Sequence, residues 1–156
     1  MWPLILLGVA FVAVIAAVEL KESMKRMSLV FTEVLQGDRE FVLNIGLAEG
    51  RDYFGCISDK PLKEYLVMGK ATTEAARLSD LGNNGSIWST KSLITRLNKN
   101  DRMRVGYGIM SRQANAKQLL EKRFSLIEDL LDDDKERSLQ FNDIRESIVT
   151  EILNIP

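Results

Sequence analysis

The stretch EYLVMGKATTEAARLSD, residues 64–80, runs from a short apolar segment through Gly69-Lys70 into an alanine-rich stretch with one arginine, Arg77. A strand that feeds a helix through a glycine turn points backbone N–H groups and the positive end of a helix dipole at that turn, a common way to bind phosphate. Other chemistry is excluded by what the chain lacks. It has no histidine and a single cysteine, Cys56, among 156 residues. Without histidine there is no Ser-His-Asp or Cys-His catalysis, no histidine general base and no histidine metal ligand. One cysteine forms neither an intrachain disulfide nor a paired-cysteine zinc site, and it suits a reducing compartment. Cys56 lies in FGCIS, an apolar setting that reads as an inert buried thiol rather than a nucleophile. Chemistry therefore falls to carboxylates, Lys, Arg and Thr, with help from a metal or a partner.

The elements that must position these residues follow from patterning. The length is one domain's worth of chain, and a net charge of −1 offers no basic field for nucleic acid. MWPLILLGVAFVAVIAAV opens the chain with 18 uncharged residues. That is about the minimum for a bilayer span, which takes roughly 17–25 apolar residues. Lys21, Lys25 and Arg26 follow it and would hold the rest of the chain on the cytoplasmic side. The alternative is a core helix in a cytoplasmic protein. Leu20, Met24, Met27, Phe31 and Leu35 recur at helical spacing, so one helix can continue without a break.

Residues 40–50 read as a strand, and residues 51–58 as a second strand paired with it across a turn at 48–50. Residues 64–68 form a third strand, followed by a helix over 72–81 that GNNG ends. SIWS is a short strand, TKSLITRL a helix capped by Thr90, and RMRVGYGIM a further strand. Two amphipathic helices are expected over 113–131 and 137–155, separated by the acidic break at 132–134. The order argues for an α+β fold, with helices on one face of a sheet.

With these elements in place, LNIGLAEG, FGCIS and the run from Glu64 to Leu93 resemble the C-terminal half of a class III adenylyl/guanylyl cyclase catalytic domain. The residues that carry the resemblance are Ile45, Gly46, Gly50, Gly55, Tyr65, Gly69, Ala75, Arg77, Leu78, Gly85 and Ser89, within about 41–98. The resemblance implies a ferredoxin-like, mixed and largely antiparallel sheet. It also implies chemistry in which two metal ions, held by two carboxylates of the family's first half, activate a ribose hydroxyl for attack on the α-phosphate. On the helix after the YxxxG strand, the family's transition-state arginine falls on Arg77 and its ribose-orienting asparagine on Thr73. Four residues is one turn, so both leave the same face. The purine-selecting position falls on Leu66, which makes no base-edge hydrogen bond. Lys70 reads as a solvated turn residue.

The family's first half, with its metal aspartates, has no counterpart in this chain. Glu33 and Asp38 echo those carboxylates only superficially and read as surface residues. The expected organisation is a hydrophobic helix and membrane span over 1–20, a linking helix and turn over 21–40, a partial cyclase-like domain over 41–112, and C-terminal helices over 113–156. Three readings follow. The first is a truncated cyclase-like domain, inactive alone, with no cofactor of its own and at most weak nucleoside triphosphate binding. The second is a half-enzyme supplying Arg77 to an aspartate-bearing cyclase partner, or to a homodimer site, with Mg²⁺ or Mn²⁺ held only once completed. The third is a non-enzymatic, membrane-attached α/β interaction module. The missing early strands would leave an exposed sheet edge, which favours association.

Overall fold

The computed structural model describes residues 2–35, 41–59, 62–111, 119–131 and 135–155. A single helix, α1 (Trp2–Leu35), takes up the first of these segments, as the unbroken helical spacing expects. Ala10, Val14 and Ala17, spaced i, i+4 and i+7, are buried along one stripe of it. That stripe packs on Leu93, Ile94 and Leu97, and on Ile87 and Ile152 of the sheet. Part of the segment expected to span a membrane therefore lies against the domain's own core, the arrangement of the core-helix alternative. Among the described residues, no helix is long and apolar enough to cross a membrane.

The main sheet is mixed. Strand β1 (Ile45–Leu47) pairs parallel with β4 (Ile87–Thr90), and β4 pairs antiparallel with β8 (Ile148–Asn154). Beyond β8 lie β5 (Gly106–Ser111) and then β6 (Leu119–Lys122), both antiparallel to their neighbours. The short β7 (Ser125–Leu126) pairs with the start of β8. Between β1 and β4, the chain makes a separate hairpin of β2 (Tyr53–Asp59) and β3 (Leu62–Met68), then the helix α2 (Lys70–Leu81). The pairing expected between residues 40–50 and 51–58 does not form. β2 takes β3 instead, and β1, three residues long, joins β4 as a sheet edge.

Both faces of the sheet are covered, where helices on one face alone were expected. Ile87 and Ile152, opposite each other in register, face α1 and α3 (Lys91–Arg96). Val149 and Trp88 face the other way, onto Leu78 and Leu81 of α2, Ile127 and Leu131 of α5 (Ile127–Leu131), Phe141 and Ile144. Side chains alternate along a strand, so a two-residue step puts Ile87 and Ser89 on one face and Trp88 and Thr90 on the other. Each fully buried Leu, Ile or Phe contributes about 1.5–3 kcal/mol, so both apolar layers matter to stability.

The C-terminal helices expected over 113–131 and 137–155 are overturned. Residues 112–118 and 132–134 lie outside the described residues, and the rest of the first segment forms β6, β7 and the five-residue α5. The second forms α6 (Lys135–Gln140), a 3-10 turn at Asn142–Ile144, and β8, an interior strand of the sheet. Four of the five residues in IVTEI, 148–152, are β-branched, which stiffens χ1 and fits a pleated strand. As a strand the segment buries Val149 on one face and Ile152 on the other, where a helix would bury a single stripe. The region after residue 112 is therefore part of the sheet and not an appended unit. Helix α4 (Lys99–Arg104) was also missed, its residues having been read in part as strand. Asn98 caps it, accepting from the Asp101 N–H at 2.9 Å.

Candidate functional site

Helix α2 sits flush on β1. A Cβ on Gly46 would overlap the carbonyl oxygen of Ala75, so only glycine lets helix and strand approach this closely. The next close approach is at the helix start. Gly69 leaves the space that the Asp52 carboxylate fills, since a Cβ there would overlap it. Asp52 accepts from the backbone N–H groups of Ala71 (3.1 Å) and Thr72 (2.7 Å), and from the Thr72 hydroxyl. The hydroxyl contact, with the two N–H groups, holds the Asp52 carboxyl below its ordinary range against an opposing desolvation effect. The turn read as favourable to phosphate is thus capped by the chain's own anion.

The two residues at the family's Asn and Arg positions share a helix face but engage the protein itself. The Thr73 hydroxyl donates to the Gly69 carbonyl at 3.0 Å, a bond back to the preceding turn. Arg77 Nε donates to Asp143 Oδ2 at 3.2 Å, closing an ion pair with both side chains about two-fifths exposed. Leu66 lies on the hairpin, opposite Gly55 in register, and is exposed. Lys70 is the first residue of α2, its side chain 85% exposed and 3.8 Å from Glu74. Cys56, expected to be buried, is exposed on β2, because the apolar residues beside it in sequence are themselves exposed.

Beside α2 opens a cleft of about 910 Å³, walled by the first turn of α2, the β4–α3 junction and residues 142–148. Its lining mixes the cations Lys70, Lys91 and Arg145 with four carboxylates, Glu74, Glu128, Asp143 and Glu146. Arg145 pairs with Glu128 at 3.2 Å, and the buried Glu74 accepts from the Ser147 hydroxyl at 2.9 Å. Neither Leu66, Thr73 nor Arg77 lines this cleft, although Arg77's partner Asp143 does. Carboxylates outnumber cations, so the cleft repels a polyphosphate more than it draws one.

Asp52, Glu74 and Asp143 were not singled out from sequence. They act across separations of 20, 73 and 66 residues, and no local pattern marks such pairs. Among the described residues, no group of three or more carboxylate or cysteine side chains converges as a metal site. Asp38 and the side chain of Glu33 lie outside the described residues. Comparison with protein-family models, with curated proteins and with solved structures finds no match for this chain.

Proposed function

We propose that this protein is a nucleotide-cyclase-like domain that no longer turns over nucleotide and serves as a membrane-attached association module with its domain on the cytoplasmic side. The observation that carries the reading is internal neutralisation of the strand-turn-helix element. Asp52 occupies the α2 N-terminus and Asp143 holds Arg77, so an incoming phosphate must displace a carboxylate at either place. A chain that lacks the family's metal carboxylates would have no two-metal clamp to activate a ribose hydroxyl or to stabilise the leaving group.

The hairpin supports the association part of the reading. Tyr53, Phe54, Ile57, Tyr65, Leu66, Val67 and Met68 are all 40% exposed or more. A two-stranded hairpin is marginal by itself. Phe54, Tyr65 and Val67 lie on one face of it and Tyr53, Ile57, Leu66 and Met68 on the other, and a second copy of the chain is the occupant we assign.

The test is an assay of the purified chain with ATP or GTP and Mg²⁺ or Mn²⁺. No cyclic AMP or cyclic GMP is expected. Activity above blank that disappears in Arg77→Ala overturns the reading. Activity that arises only on adding an aspartate-bearing cyclase chain puts the half-enzyme in its place.

A further inference from the structure

A second cleft, of about 720 Å³, lies where α4 meets β5 and the end of β8. That volume falls within the range of roughly 300–1,000 Å³ usual for small-molecule sites. Lys99, Arg102 and Arg123 line it, together with the apolar side chains of Tyr107, Met110 and Leu153. Among the described residues, none that lines it is acidic. Asp101, the acid next to Arg102 in sequence, is bonded to Asn98 at the helix cap.

The cations of this cleft are held differently from others on the surface. Lys70, Arg77, Arg96, Lys122 and Arg145 each pair with a carboxylate. Among the described residues, Lys99, Arg102 and Arg123 do not. Arg102 is half-buried, so its guanidinium gives up part of its water without gaining a counterion. Arg123 stands over the Tyr107 ring, 5.3 Å from its centroid, which sets one cation above an aromatic surface. Three like charges around one concavity repel one another, and an anion among them removes that cost.

We propose that this cleft binds a small phosphate monoester with an apolar body. Such an ester carries a charge of about −1.5 to −2 at pH 7 and offers three acceptor oxygens to Lys99, Arg102 and Arg123. A single carboxylate leaves more of the cluster's charge unmatched. Tyr107 and Leu153 meet the apolar body, and Met103 and Met110 adapt to its shape through their unbranched, flexible side chains. A nucleic acid is a poorer match: it follows a continuous basic surface, which the five pairs above interrupt, and the net charge is −1. The site shares no residue with the cleft beside α2, and it does not depend on kinship with cyclases.

Phenyl phosphate is the probe, titrated into the purified chain with its methionine methyl groups labelled for NMR. Saturable shifts of the Met103 and Met110 signals are expected, with the Met68 signal of the hairpin unmoved. Inorganic phosphate and benzyl alcohol are each expected to bind at least about tenfold more weakly, since each lacks one half of the match. Arg102→Gln is expected to weaken phenyl phosphate about tenfold, by loss of a charge-assisted hydrogen bond. Arg96→Gln removes a cation already paired with Glu49 and is expected to leave binding unchanged. Circular dichroism checks folding, and if Arg102→Gln does not fold, the ligand series on the wild-type chain decides. No saturable shift, a Met68 shift in step with the cleft methionines, or equal affinity for inorganic phosphate overturns the proposal. An equal loss in Arg96→Gln also overturns it, as general charge attraction. Tighter binding of benzoate overturns it in favour of a carboxylate site, and tighter binding of an oligonucleotide in favour of a nucleic-acid surface.

Discussion

At Asp52 a single carboxylate decides what the α2 N-terminus can do. Its hydrogen bonds to the Thr72 hydroxyl and to two backbone N–H groups favour the charged form, so its pKa is lower folded than unfolded. The linkage has a definite sign. Stability from this group is fully present above the unfolded value, about 3.9, and is lost as pH falls through the lower folded value. Asp52→Asn is therefore expected to lower the melting temperature at neutral pH. Its melting curve should converge with wild type as the pH drops below about 4. Thermal melts of both proteins across that range check it, and parallel curves with a constant gap would show that the charge is not what matters. Arg77 behaves differently. Its half-exposed pair with Asp143 is worth at most about 1 kcal/mol, so Arg77→Ala should leave the fold intact and suit the activity assay.

The seating of α2 on β1 is a property of two elements, set by a residue that has no side chain. Gly46 lies against the α2 backbone at Ala75 and Ser79, which cannot yield as a flexible side chain could. Gly46→Ala is expected to push α2 off β1 and to cost about 1–3 kcal/mol or more through overpacking. Chemical denaturation measures this as a lower midpoint. The displaced helix should also carry Leu78 and Leu81 partly out of the layer they share with Val149 and Phe141. An unchanged midpoint would mean that α2 has freedom to shift that its contacts do not suggest.

Across the whole molecule, the two apolar layers are closed by α1 and α3 on one side and by α2 and α5 on the other, while the hairpin is left outside both. Phe54 and Tyr65 stack at 5.8 Å on one hairpin face, and Tyr53 and Met68 pair across the strands on the other. Sedimentation of the purified chain is expected to show concentration-dependent self-association. Phe54→Ser with Tyr65→Ser should return it to monomer without altering the core, since neither side chain belongs to a buried cluster. A monodisperse wild-type monomer at high concentration would remove the hairpin as the association surface. Association that persists in the double variant would move it elsewhere, with the free edge at β1 the next candidate.

What could be read from sequence was local. The continuity of α1, the strand-glycine-helix of β3 and α2, the stop at GNNG and the Thr90 cap of α3 each depend on residues within one or two turns of one another. The absence of histidine likewise bounded the chemistry from composition alone. The C-terminal region was misread because Phe141, Ile144, Ile148, Ile152 and Ile155 satisfy a helical period, while two strands stood ready to take residues 148–154 into the sheet. Burial on both faces and backbone pairing on both sides then outweigh a one-sided helical stripe. The candidate site divides in the same way. Sequence placed Thr73 and Arg77 one turn apart on a helix, because that geometry is intrinsic to the helix. Only the tertiary structure brought Asp52 to the helix start and Asp143 to Arg77, because those partners come from chain 20 and 66 residues away and meet only when the sheet has formed.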